Sequence, residues 1–144
     1  MAFRGTFDYS LDAKNRLTVP AKFRAALSDG VVLSKGLDNC LELWRPEDYD
    51  ERMTSALQGM NPLSTEARRI ELFFSANAFP GELDSAGRVM VPPPLLEHAG
   101  LKKDAVVVGA GKSLQIWDRE AWAAFNAQLG TTINDITAQL GQSA

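Results

Sequence analysis

One stretch of this chain occurs twice, 72 residues apart, and that repetition limits the folds open to it more than any other feature. Phe7-Asp-Tyr-Ser-Leu11-Asp12-Ala-Lys14-Asn15-Arg16-Leu-Thr-Val19-Pro20 returns as Phe79-Pro-Gly-Glu-Leu83-Asp84-Ser-Ala-Gly87-Arg88-Val-Met-Val91-Pro92. Six of the fourteen positions are identical, where chance gives about one. A second block, Leu41-Glu-Leu43-Trp44, returns as Leu114-Gln-Ile116-Trp117 at an offset of 73. A unit of roughly forty residues is marginal alone, so the halves are expected to pack on each other.

Within each copy, an extended run leads into a polar tetrad, and Arg16-Leu17-Thr18-Val19 then alternates polar and apolar. That pattern predicts strand, tight turn, strand. Asn15 and Gly87 stand at equivalent places before the arginines, and both residue types tolerate the positive φ of short turns. Asp12 and Asp84 open the turns, where a carboxylate accepts hydrogen bonds from backbone N–H groups two residues on. Pro20 and Pro92 close the second strands and can open helices, one of them predicted over Ala21 to Leu27. Val31-Val32-Leu33 and Val106-Val107-Val108 follow as buried strands, then the two tryptophan strands, each leading into a helix. Between the copies, Ser64 is placed to cap a helix from Thr65 to Phe74 with an apolar stripe of Ala67, Ile70, Phe73 and Phe74.

The organisation expected is a first repeat over residues 1–55, a helical connector over 56–78, a second repeat over 79–130, and a disordered tail over 131–144. A hydrophobic content of 45% and a charged content of 23% are those of a soluble folded protein, without an apolar run that suits a membrane. The first residues do not read as a secretory signal, and a lone Cys40 fits a reducing compartment, so the cytoplasm is expected. The net charge of −3 does not suit casual nucleic-acid binding, but its distribution is uneven. Residues 1–28 hold Arg4, Lys14, Arg16, Lys22 and Arg24 against Asp8 and Asp12, while residues 38–51 are strongly acidic.

Two Asp-x-x-x-Arg turns, each followed by x-x-Val-Pro and a β-x-Trp block, resemble the MraZ family of bacterial proteins. The likeness covers about residues 1–130, including Phe3-Arg4-Gly5, and departs at Asn15, where the family's first turn usually has glycine. It implies a mainly β chain with flanking helices, in which two AbrB-like units form a pseudo-two-fold swapped-hairpin β-barrel. It also implies a cytoplasmic, nucleoid-associated transcriptional regulator, acting as a repressor. Such a protein assembles into a homo-oligomeric ring and recognises short direct repeats in the promoter of the division and cell-wall cluster that contains its own gene. Carried over by position, the DNA-binding residues are Arg4, Lys14, Arg16 and Arg88, with Asp12, Asn15, Asp84 and Gly87 supporting the turns. Ala86 stands where the first turn has Lys14, so the halves contribute unequally.

The residue types suit that role. An arginine on a rigid turn can bridge guanine O6 and N7, and a lysine suits phosphate as a point charge. Two other readings stand beside it. One is a non-catalytic ring-forming assembly protein that binds another protein through Glu47 to Glu51, with the arginine turns merely stabilising the barrel. The other is an enzyme using those two carboxylates as an acid–base pair. The sequence supplies no nucleophile with a base, no phosphate-cradling glycine loop, and no Cys/His set at metal spacing, so no catalysis, cofactor or small-molecule substrate is expected. Arg68 and Arg69 read as a solvated helix face, Trp44 and Trp117 as core or interface, and His98 as a solvated or satisfied side chain.

Overall fold

A computed structural model describes residues 2–143. The elements in chain order are β1 (Thr6–Ser10), β2 (Arg16–Thr18), a 3-10 turn (Ala21–Phe23), β3 (Val31–Lys35), β4 (Leu41–Trp44), α1 (Pro46–Leu57) and α2 (Thr65–Ala76). The second half continues with β5 (Ala78–Gly81), β6 (Arg88–Met90), α3 (Pro93–Ala99), β7 (Asp104–Gly109), β8 (Ser113–Asp118) and α4 (Arg119–Ser143). Strands β1, β2, β3 and β4 thus correspond to β5, β6, β7 and β8, and α1 corresponds to α4.

A six-stranded antiparallel sheet runs β1-β7-β8-β4-β3-β5, and β2 pairs with β6 in a separate ribbon. Exchanging each strand for its repeat partner reverses the sheet order without changing it. The fold therefore has a pseudo-two-fold axis between β4 and β8 and between β2 and β6. The strands on either side of each turn do not form the local ladder that alternation suggested. β1 pairs with β7, β5 with β3, and β2 with β6, so every such strand finds its partner in the other half. The two halves share one core, in which Phe3, Leu17, Phe23, Leu33 and Leu43 pack with Val89, Leu95, Val107, Leu114 and Ile116.

Four expectations need correction. The barrel is not closed, because β1 and β5 end the sheet as edges and the β2–β6 ribbon stands apart. Pro80 sits in edge strand β5, where its missing N–H can be tolerated. The chain is not mainly β either, since among the described residues the four α-helices hold more residues than the eight strands. The predicted helix over Ala21 to Leu27 is a chain of i to i+3 turns: Phe23 N–H donates to Pro20 O, Arg24 to Ala21 O and Leu27 to Arg24 O. That winding is tighter than an α-helix and rises more per residue, and Phe23 and Leu27 are both buried in the core. The segment beyond residue 130, expected as a loose tail, continues α4 to Ser143.

Other local readings hold. Ser64 caps α2 by accepting from Ala67 N–H at 3.2 Å. Trp44 and Trp117 are buried, and each indole N–H has an acceptor two residues back: Glu42 at 3.1 Å and Gln115 at 2.9 Å. His98 is satisfied, its Nε2–H donating to Gly36 O at 3.0 Å and Asp38 O at 3.2 Å, which pins α3 to the β3–β4 turn. Cys40 lies buried, and desolvation, followed by the Glu42 and Asp38 carboxylates, pushes its thiol up to about 12. Among the described residues, no helix is long and apolar enough to cross a membrane.

Candidate nucleic-acid interface

The two Asp-x-x-x-Arg turns are built alike, atom for atom. In the first, Asp12 Oδ1 accepts the backbone N–H groups of Lys14 and Arg16, both at 2.9 Å, and Oδ2 accepts Arg16 Nε–H at 2.7 Å. In the second, Asp84 Oδ1 accepts from Ala86 N–H at 3.0 Å and Arg88 N–H at 2.9 Å, and Oδ2 accepts Arg88 Nε–H at 2.8 Å. Backbone bonds close each loop: Asn15 N–H donates to Asp12 O, and Gly87 N–H to Asp84 O. Asn15 has φ 58° and Gly87 has φ 76°, the left-handed backbone that both residue types were expected to supply.

Each aspartate thus serves three donors. Its carboxyl is held below its ordinary value chiefly by the arginine's backbone N–H; desolvation opposes this, and the arginine side chain and the second backbone N–H lower it further. These are the electrostatics of an ionised anchor. A general acid needs the opposite shift. Each anchor takes the Nε–H of its arginine and so orients the guanidinium plane.

The ribbon brings the two turns together. Antiparallel pairing sets Arg16 opposite Met90, Leu17 opposite Val89 and Thr18 opposite Arg88, with Leu17 and Val89 turned into the core. Val19 N–H donates to Gly87 O and Val91 N–H to Asn15 O, both at 2.9 Å, so each turn is tied to the strand of the other half. Arg88 Nη1 lies 4.0 Å from Asp12 Oδ2 across the pseudo-axis. Lys14 is exposed at the first turn tip and forms no ion pair with the described residues.

Arg4 lies elsewhere. Its neighbours Phe3 and Gly5 bond to Gly111 and Gly109 beside the β7–β8 turn, at the start of β1, whereas the Asp12 turn follows the end of β1. The eight residues from Arg4 to Asp12 span up to about 26 Å of extended chain. Arg4 instead neighbours the end of the sheet that carries the acidic cleft, a cavity of about 430 Å³ lined by Asp38, Glu42, Asp48, Glu51 and Lys112 among others.

Two residues at the ribbon carried no local motif. Arg24 donates from Nε to Val19 O at 3.0 Å and lies against Gly87, where an added Cβ would come within 2.6 Å of Arg24 Cδ. The repeat-equivalent of Arg24 is Leu96, and this difference accompanies glycine at one turn and asparagine at the other. Met90, 61% exposed, faces Arg16 across the ribbon where the first copy has Thr18. The repeat alignment held the signal for both, as substitutions that break its symmetry.

The family model described as "MraZ protein, putative antitoxin-like" matches the chain twice, over residues 2–73 and 74–140. The chain belongs to the MraZ family. Among its relatives is a protein of Heliobacterium modesticaldum named "Transcriptional regulator MraZ", 36% identical over 138 residues and covering 96% of each chain. A protein of the same name from Symbiobacterium thermophilum is 36% identical over 95% of this chain and 99% of its own. A third, from Thermoanaerobacter pseudethanolicus, is 34% identical over 96% of both. The MraZ family match is thus itself two-fold, like the strand order.

Proposed function

We propose that the protein is a DNA-binding transcriptional regulator whose β2–β6 ribbon is the reading head. The observation that carries this reading is the pair of arginines on adjoining turns, each held through Nε–H by its own aspartate. A preorganised guanidinium loses less freedom on binding a guanine edge, and a good bidentate pair discriminates by about 1–3 kcal/mol. Lys14 adds a phosphate contact on one side only, and Met90 offers apolar surface suited to a thymine methyl group. Arg4 contacts the backbone at a distance from the turns, on DNA that runs past more than one subunit.

The target is a set of short direct repeats in the promoter of the division and cell-wall cluster containing the protein's own gene, where binding represses. The protein acts in the cytoplasm on the nucleoid, without cofactor or catalysis, as a homo-oligomeric ring. Multiplying a weak contact around a ring raises avidity on the order of 10² to 10⁴, which allows an acidic chain to bind repeated sites. Each subunit is read as an open variant of the swapped-hairpin barrel, with AbrB-like repeats at 1–55 and 79–130 joined through 56–78. Exchange of strand partners between the halves supports that description.

The test is binding of the purified chain to a labelled duplex from upstream of its own gene, beside a scrambled duplex and an Arg16→Ala, Arg88→Ala variant. A preference of at least ~10³ for the native duplex, lost in the variant while assembly is unchanged, is the expected result. Equal weak binding to both duplexes overturns the reading.

A further inference from the structure

The two halves carry their positive charge at different places. Lys14, at the tip of the first turn, has Ala86 as its counterpart, and Arg24, at the end of the 3-10 turn, has Leu96. In sequence both cations belong to the first copy, but the exchange of strand partners divides them. Arg24 lies against Gly87 of the second turn and donates to Val19 O, while Val19 N–H donates to Gly87 O. Each turn thus has its own arginine and one further cation: Arg16 with Lys14, and Arg88 with Arg24.

The Arg24 side chain is held but not neutralised. It is half-buried, and its Nε–H to Val19 O at 3.0 Å is the one side-chain hydrogen bond it makes among the described residues. Of a guanidinium's five N–H donors, the four on Nη1 and Nη2 have no acceptor there, and neither Nη atom is buried, so they face solvent. Asp84 lines the same shallow cavity of about 250 Å³, with Ser28, Leu83, Ser85 and Gly87, but forms no ion pair with Arg24. Its oxygens already serve Ala86 N–H, Arg88 N–H and Arg88 Nε–H. The position of the guanidinium is fixed by the turn itself: a Cβ on Gly87 would lie 2.6 Å from Arg24 Cζ. Cζ is therefore within about 8 Å of the Cα of Arg88, one residue on. A major groove is about 12 Å wide, so when Arg88 reaches a base edge near its middle, a cation at that distance meets the groove's phosphate rim and not a base.

We propose that Arg24 is a phosphate-binding residue of the second turn, taking a DNA backbone phosphate through its Nη donors as Lys14 does beside the first. Guanidinium and phosphate pair strongly and in fixed orientation, and the bond from Nε to Val19 O presents the Nη end ready for it. Ser85, exposed at the turn tip on the same cavity, supplies a hydroxyl suited to the same phosphate. The ribbon then meets the duplex with an arginine for bases and a cation for the backbone at both turns, although the sequence shows that pairing only at the first. The inference rests on the DNA-binding reading above.

The test is a salt titration of duplex binding by the full chain, on the native and the scrambled duplex between about 50 and 200 mM salt. Arg24→Gln puts an amide nitrogen at the position of Nε, so it keeps the bond to Val19 O and removes the charge. Its affinity is expected to fall at least about threefold on both duplexes alike, with the slope of log K against log salt reduced by about 0.9 per engaged subunit and the urea midpoint near wild type. Arg24→Lys does the reverse: it loses the bond and keeps the charge, so the slope stays at the wild-type value while the urea midpoint falls. Ala86→Lys added to Arg24→Gln is expected to restore the slope. A wild-type slope in Arg24→Gln overturns the phosphate site and leaves Arg24 a prop for the turn, as does a reduced slope in a folded Arg24→Lys. A wild type that binds both duplexes equally overturns the specific reading alone, since its slope still decides the role of Arg24. A wild type that binds neither overturns both.

Discussion

Replacing Gly87 with alanine should cost far more than the removal of one hydrogen atom suggests. The left-handed backbone at φ 76° is open to glycine and costs an alanine about 1–2 kcal/mol. The new Cβ also runs into Arg24, whose Cδ would lie 2.6 Å away, so the arginine must leave its place. It then gives up its bond to Val19 O, a half-buried bond from a charged donor worth about 1 kcal/mol after solvent takes its share. The sum is about 2–3 kcal/mol, measurable as a shift of the urea midpoint at fixed protein concentration. Arg24→Ala alone should cost about 1 kcal/mol, and Gly87→Ala in that background only its backbone cost. The double-mutant cycle should therefore show a coupling of about 1 kcal/mol. Costs that add to within ~0.3–0.5 kcal/mol would refute the contact between Arg24 and the turn as the source.

Asp12→Asn with Asp84→Asn keeps an acceptor for the backbone but removes the charge that holds each arginine. Specific duplex binding should fall about tenfold or more in a mobility-shift titration, while non-specific binding changes little or tightens. Both carboxyls sit below their ordinary value of 3.8, so the stability they contribute is present above that pH and is lost as the pH falls through their lower folded values. Near-neutral pH should leave the turns unchanged, and amide chemical shifts of Lys14, Arg16, Ala86 and Arg88 should move only in acid. Cys40, with its thiol raised to about 12, should resist a thiol reagent at pH 8 until the chain is unfolded. Ser34 is buried and its hydroxyl has no hydrogen-bond partner among the described residues, so Ser34→Ala should leave the unfolding free energy within ~0.5 kcal/mol of wild type or raise it.

The turns were legible because their demands are local. A carboxylate, a residue tolerant of positive φ and an arginine in fixed order specify the whole hydrogen-bond set, and the repeat states it twice. Strand partners were not legible. Alternation in Phe7 to Leu11 says that a strand exists, not that its neighbour is β7 nearly a hundred residues away. The segment after Pro20 carries Phe23 and Leu27 four apart, the spacing that one face of an α-helix wants, and so does not reveal that its backbone bonds run from i to i+3. The end of α4 was misread because its apolar residues find no cover in their own chain, although their spacing was visible throughout. Arg24 is invisible locally because its partners, Val19 O and the Gly87 turn, belong to other elements.

The order β1-β7-β8-β4-β3-β5 also governs how the chain is made. On the ribosome, β1 and β3 emerge long before β7 and β5, their ladder partners. At about 5–20 residues per second, β1 waits roughly five to twenty seconds with its hydrogen-bonding edge unmatched. The β3–β4 hairpin can form in that interval, but the sheet cannot be completed until β7 and β8 have emerged. Two nascent chains on one messenger could satisfy those edges with each other, the first half of one taking the second half of its neighbour. The topology that knits the halves together thus makes domain exchange between newly made copies the characteristic error of this fold, and slow dilution from denaturant should suppress it.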